Sequence, residues 1–285
     1  MKFLALFLAV PLLAGAAPVV IDDAALTSSF QTGLGGFADE GGHPSAKELK
    51  EQLAAAPATV AAPELGSAAT RDPAASVFLV GSVYKCGKCD KWHPGGIATA
   101  WALSDDGLMV TNHHVFAKAK GAAMGVCDRE GNTYPVTEVL AANEAADAAL
   151  FRVRATGLQP LALGPDAAVG SRVRVVSHPQ RRFFMQTSGE VARYYRRPGR
   201  GDRPESVWMS ITADYAKGSS GGPVVNRRGK VVGMVSSTQS IYYDSENGQP
   251  EGPLQMVVKN CVPVSAVRAM LAAEPEAAAV PAERP

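Results

Sequence analysis

After its first residues the sequence lacks any long hydrophobic run. Although 46% of the 285 residues are hydrophobic, no later stretch approaches the roughly 20 apolar residues of a membrane-spanning helix. The early run Phe3–Leu13 is itself too short to span a bilayer. With Lys2 before it and Ala14-Gly15-Ala16 after it, residues 1–16 read as a secretory signal ending in a small-residue cleavage site. No cysteine follows those small residues, which argues against a lipid anchor. The expected mature chain is secreted or periplasmic, with no membrane insertion once the signal is removed. An excess of one charge is also absent: 28 Lys and Arg stand against 27 Asp and Glu. The composition therefore gives no electrostatic case for nucleic acid as a partner.

Cysteine is scarce, with four in all. In an exported chain these first suggest disulfides, and the sequence cannot choose among the possible pairings. Cys86-Gly87-Lys88-Cys89 lies between two strand-like runs, Val77–Tyr84 and Ile97–Leu103, and reads first as a structural loop staple. Two alternatives stay open. One is a zinc site of Cys86, Cys89 and His93, with Cys127 or Cys261 as fourth ligand. The other is a redox pair, although the βαβ setting of such pairs is missing. Cys261 sits in an apolar run and reads as buried.

From Ser76 to Val262 no long amphipathic helix interrupts the chain. Short Val-rich runs alternate with Gly, Pro, Asn and Asp turns, the rhythm of an all-β barrel or sandwich. Ahead of this lies a pre-region, 17–73. Residues 17–43 are rich in Gly, Ala and Asp, have weak periodicity, and are expected to be poorly ordered. Ser45 and Glu48 make a capping box that predicts a short helix over about 45–56. This region reads as a tether or packed arm in preference to an inhibitory propeptide. Residues 273–285 are Ala-, Glu- and Pro-rich and are expected to be disordered.

Three segments carry chemistry. In Gly218-Ser219-Ser220-Gly221-Gly222-Pro223 a serine sits in a turn that can aim backbone N–H groups at one point, as acyl transfer on a serine requires. In Thr111-Asn112-His113-His114-Val115 a strand ends and delivers an imidazole, which titrates near neutrality and can move a proton. In Asp147-Ala148-Ala149-Leu150 an acid precedes an apolar strand and could fix a histidine tautomer.

Together these motifs resemble those of the trypsin-like serine proteases, in the chymotrypsin order of His, Asp and Ser. Asp147-Ala148-Ala149-Leu150 is most similar to the bacterial high-temperature-requirement (Deg/Htr) branch. The resemblance covers roughly 74–272. It implies two six-stranded antiparallel β-barrels, at about 76–163 and 170–262, with the active site between them and a short C-terminal helix. It further implies an exported endopeptidase without cofactor, acting on protein or peptide substrates. In it Ser220 is the nucleophile, His114 the base, Asp147 the orienting acid, and the N–H groups of Gly218 and Ser220 the oxyanion hole.

The resemblance also places Asp214, Lys217 and Ser236 near a substrate pocket, Asp214 at the spacing where trypsin selects basic side chains. A structural role for Asp214 is preferred. Ser219 stands where the family commonly has Asp or Asn, so no switch pairing a new N-terminus with that position is expected. Residues 273–285 are too few for the PDZ domain typical of the Deg/Htr branch, and that branch's assembly is not carried over; the oligomeric state stays open. The basic stretch Arg193–Arg203 reads as a solvated loop, with substrate docking as the alternative. A protease-fold binding or chaperone-like module that does not cleave is the competing function.

Overall fold

The structure, a computed structural model, describes residues 18–62, 65, 70–199, 201–246 and 249–272. The expected signal (1–16) and tail (273–285) lie outside these residues. The chain opens with helix α1 (Asp23–Glu40), helix α2 (Ala46–Ala55) and the two-residue strand β1 (Val60–Ala61). Six strands follow: β2 (Val77–Lys85), β3 (Trp92–Ala102), β4 (Leu108–Thr111), β5 (Ala123–Cys127), β6 (Thr133–Asn143) and β7 (Ala148–Val153). The short helix α3 (His113–Ala117) comes between β4 and β5. The second set comprises β8 (Arg172–Ser177), β9 (Met185–Arg197), β10 (Ser206–Ile211), β11 (Pro223–Asn226), β12 (Val231–Glu246) and β13 (Gln249–Pro263). Helix α4 (Val264–Arg268) and strand β14 (Leu271–Ala272) complete the described chain.

Each set of six closes into an antiparallel barrel, in the orders β2-β3-β4-β7-β6-β5 and β10-β13-β12-β11-β8-β9. Closure gives every barrel strand a neighbour on both sides. This is the all-β, two-barrel fold implied by the motifs, with α4 as the short C-terminal helix. The strand period explains the division of the core, since successive side chains of a strand point to opposite faces. In β2, Phe78 and Val80 pack with Met109, Val126 and Phe151 in a core drawn from barrel one. The alternate residues Val77 and Leu79 pack with Val176, Met234 and Val262 of barrel two, in a core between the barrels. A third core, around Val175, Met209 and Val224, belongs to barrel two.

Residues 18–43 depart from the expectation of poor order. Asp22 caps an 18-residue helix by accepting from the N–H groups of Ala24 and Ala25 at 3.0 and 2.9 Å. Leu26, Phe30 and Leu34 fall at helical spacing and are buried in the inter-barrel core. Tertiary burial, worth about 1.5–3 kcal/mol per large apolar side chain, outweighs the low helix propensity of the interior glycines. In α2 the Ser45–Glu48 capping box forms, and Leu49 and Leu53 join the core of barrel one. Strand β9 continues to Arg197 and pairs with β10, so the basic stretch is part strand rather than all loop.

Candidate active site

Each of the three motif segments ends at the seam between the barrels. Strand β4 stops at Thr111, Asn112 starts α3, and His114 is its second residue. Asp147 immediately precedes β7 with φ 56°, a backbone region that costs a non-glycine residue about 1–3 kcal/mol and concentrates at functional sites. That conformation is braced: the side-chain amide of Asn112 donates to the Asp147 carbonyl at 2.9 Å, and the His114 N–H donates to Asp147 Oδ1 at 3.0 Å.

The side chains form a relay. His114 Nδ1 lies 2.9 Å from Asp147 Oδ2, and His114 Nε2 lies 3.0 Å from Ser220 Oγ. A carboxylate facing Nδ1 places the imidazole proton there, which leaves Nε2 to accept from the serine. The Ser236 hydroxyl donates to Asp147 Oδ2 at 2.5 Å. Burial pushes the Asp147 carboxyl up, but the hydrogen bonds and charge of His114, with the bond from Ser236, outweigh it and hold the group below its ordinary value. Asp147 is thus kept ionised in a nearly buried position.

The serine turn is held from both barrels. Thr99 of β3 donates its N–H to the Ser220 carbonyl at 2.8 Å and its hydroxyl to the Gly218 carbonyl at 3.0 Å. The Lys217 carbonyl accepts from the Gln180 N–H at 2.7 Å. Among the described residues, neither the Gly218 nor the Ser220 N–H donates to a protein acceptor. Two free donors beside the serine hydroxyl are what an oxyanion hole needs. Gly218 has φ 100°, and a Cβ there would run into the His178 carbonyl, so the turn admits glycine only. Ser219 is buried and accepts from Ser177 Oγ at 2.9 Å, at the position where the resembled family commonly has Asp or Asn.

Behind the turn, residues 178–184 hold three non-glycine residues at positive φ: Gln180, Arg181 and Phe184. Their conformation is tied down by Gln180 on Lys217, by the Phe184 N–H donating to His178 Nδ1 at 3.0 Å, and by the Phe183 N–H donating to Asp23 Oδ1 at 2.9 Å. His178 is fully buried between Phe183 and Phe184, and burial drives its pKa down to about 3. Neither His178 nor Asp23 is singled out by any local sequence motif.

A cleft of about 1070 Å³ opens over this constellation, lined by His114, Ser220, Lys217 and Ser236 among others. Of the expected pocket residues, Lys217 and Ser236 therefore line the cleft, and Ser236 also holds Asp147. Asp214 does not: its side chain is 86% exposed and ion-paired with Lys259 at 3.1 Å. Arg197 and Arg203 of the basic stretch reach the cleft wall.

The expected disulfides are absent, because all four cysteines are free. Cys127 and Cys261 are buried in two different cores, where each thiol is pushed up to about 12. This also removes both as the fourth ligand of a zinc site. Cys86, Cys89 and His93 gather at the exposed tip of the β2–β3 hairpin.

Residues 98–234, which contain His114, Asp147 and Ser220, match the family described as the trypsin-like peptidase domain. Among curated proteins, the chain is 30% identical over 155 residues to a probable periplasmic serine endoprotease DegP-like of Ectopseudomonas mendocina, covering 50% of this chain and 31% of that protein. It is 31% identical over 162 residues to serine protease PepD of Mycobacterium tuberculosis, covering 52% and 35%. Serine protease HTRA1 of Xenopus tropicalis is 31% identical over 150 residues, covering 50% and 31%. The chain thus spans about a third of the length of these relatives. On fold, site geometry and sequence together, residues 98–234 match the trypsin-like peptidase domain and are similar to the DegP and HtrA serine proteases.

Proposed function

We propose that the protein is an exported serine endopeptidase. Ser220 Oγ attacks the scissile carbonyl while His114 Nε2 takes its proton. The tetrahedral oxyanion is received by the N–H groups of Gly218 and Ser220. His114 then returns the proton to the leaving amine, and water bound in the same place releases the acyl group from Ser220. Asp147 fixes the His114 tautomer and stabilises the imidazolium that forms. The observation that carries this reading is the continuous set of contacts from Ser220 Oγ through His114 to Asp147, each at 3.0 Å or less, on the floor of an open cleft. The DegP-like relatives are named as periplasmic endoproteases, which supports an exported peptidase acting on proteins or peptides.

The test is labelling of the mature chain with a fluorophosphonate, followed by turnover of a peptide library. Labelling should vanish in Ser220→Ala and fall sharply in His114→Ala, and Ser220→Ala should lower kcat by about 10⁴–10⁶-fold. A folded chain that neither labels nor cleaves, but captures protein partners equally well in Ser220→Ala, would show a binding module instead.

A further inference from the structure

The β2–β3 hairpin tip takes no part in the relay, yet its side chains converge. We propose that Cys86, Cys89 and His93 form a binding site for a zinc-class divalent metal, with the fourth position open to water or an external ligand. The ligating atoms of all three residues lie within 4.8 Å of one another. Cys86 Sγ is 3.5 Å from Cys89 Sγ, and Cys89 Sγ is 3.1 Å from His93 Nε2. Metal–sulfur distances of about 2.3 Å and metal–nitrogen distances of about 2.0 Å put the ligands of one tetrahedral ion roughly 3.5–3.8 Å apart. The observed separations approach that value, whereas a disulfide would bring the sulfurs to about 2.05 Å.

The local backbone is built for thiolates. Gly87 at φ 72° lets the chain double back, and the Lys88 N–H donates to Cys86 Sγ at 3.4 Å. The His93 ring is set by the Tyr84 ring, with centroids 5.8 Å apart and planes at 38°. Two sulfurs and an imidazole select zinc over hard cations such as magnesium or calcium. The hairpin is held at α1 right beside its tip, where Trp92, paired with Lys85, donates its Nε1–H to Asp39 Oδ2 at 2.9 Å.

The same hairpin reaches the cleft: Ser82, Tyr84, Gly95 and Gly96 line it together with His114 and Ser220. An ion at the tip would lock Tyr84 against the ring of a metal-bound His93, and so set one wall of the cleft without touching the relay. The site stands independently of the proposed peptidase activity, and its test reads metal rather than turnover.

The full chain, purified without chelator and kept reduced, is titrated with zinc against a chromophoric chelator and, separately, with cobalt(II). About one equivalent of zinc should bind with Kd of about 1 µM or tighter, and cobalt should show sulfur-to-metal charge-transfer absorption with the intense bands of a four-coordinate ion. Cys89→Ser should weaken binding about 100-fold and His93→Gln about 10-fold, while Ser220→Ala leaves stoichiometry and affinity unchanged. Circular dichroism of the metal-free variants, expected to match the parent chain, separates lost ligands from lost fold. A reduced, folded chain that binds zinc no better than Cys89→Ser overturns the site. So does cobalt uptake without the charge-transfer band. So does a chain isolated with Cys86 and Cys89 cross-linked that still takes up no zinc after reduction.

Discussion

At the residue scale, Ser236 and Gly218 separate the function of the site from its packing. If Ser236 were chiefly a pocket residue, Ser236→Ala would raise KM. Its hydroxyl instead completes the shell of Asp147. Removing a hydrogen bond to a buried carboxylate costs about 1.5–3 kcal/mol, so kcat should fall roughly 10–100-fold with KM little changed, as steady-state kinetics on a peptide substrate would report. Gly218→Ala meets the His178 carbonyl and a φ that an L side chain resists. The turn should lose its donor geometry, with kcat down by about 10²–10³ and fluorophosphonate labelling slowed in parallel, while the melting temperature changes far less. Ser220, His114 and Asp147 were legible as candidates because each sits in a local pattern at a strand end. The Ser236–Asp147 contact was not, since it joins residues 89 positions apart across the two barrels. Asp214 shows the limit of spacing alone: six residues before Ser220 it admitted a pocket reading beside the preferred structural one, and its side chain turns outward to Lys259.

At the element scale, α1 bears on what the pre-region does. Its composition hid the helix, because glycines and short polar residues dilute the pattern; only Leu26, Phe30 and Leu34, each four residues apart, announced a buried face. The interior glycines have a packing reason. A Cβ at Gly33 would strike Thr133, and one at Gly35 would strike Trp92, so the helix can lie this close to barrel one only without side chains there. Through Asp23 it also holds Phe183, and through that segment the Lys217 carbonyl beside the proposed oxyanion turn. A helix so placed suits a brace for the site, in line with the packed-arm reading of the region. Phe30→Ala, which empties a fully buried position, should cost about 3–5 kcal/mol in denaturant unfolding. A chain beginning at residue 43 should be less stable and less active than the mature chain. Higher activity in that shortened chain would instead mean that the region inhibits.

At the scale of the whole molecule, the inter-barrel core makes stability depend on pH. It contains Phe183 and Phe184 with residues of both barrels and of α1, and His178 lies against both phenylalanines. Burial lowers the His178 pKa from 6.5 to about 3. Between those values the unfolded chain takes up a proton that the folded chain refuses. Stability is therefore full above pH 6.5 and lost progressively as the pH falls toward 3, with a limiting slope of about 1.4 kcal/mol per pH unit from this one group. Asp147, also held below its ordinary value, acts in the same direction but only in the more acidic carboxylate range. Denaturant unfolding followed at several pH values should show the two separately. His178→Gln should flatten the decline between pH 6 and about pH 4, whatever its effect on stability at neutral pH, and Asp147→Asn should leave that window steep. Because this core ties both barrels to α1 and includes Trp101, the acid transition should be a single event by far-UV circular dichroism and by tryptophan fluorescence. If the His178→Gln profile keeps the parent slope in that window, the buried imidazole is not what couples the barrels to pH.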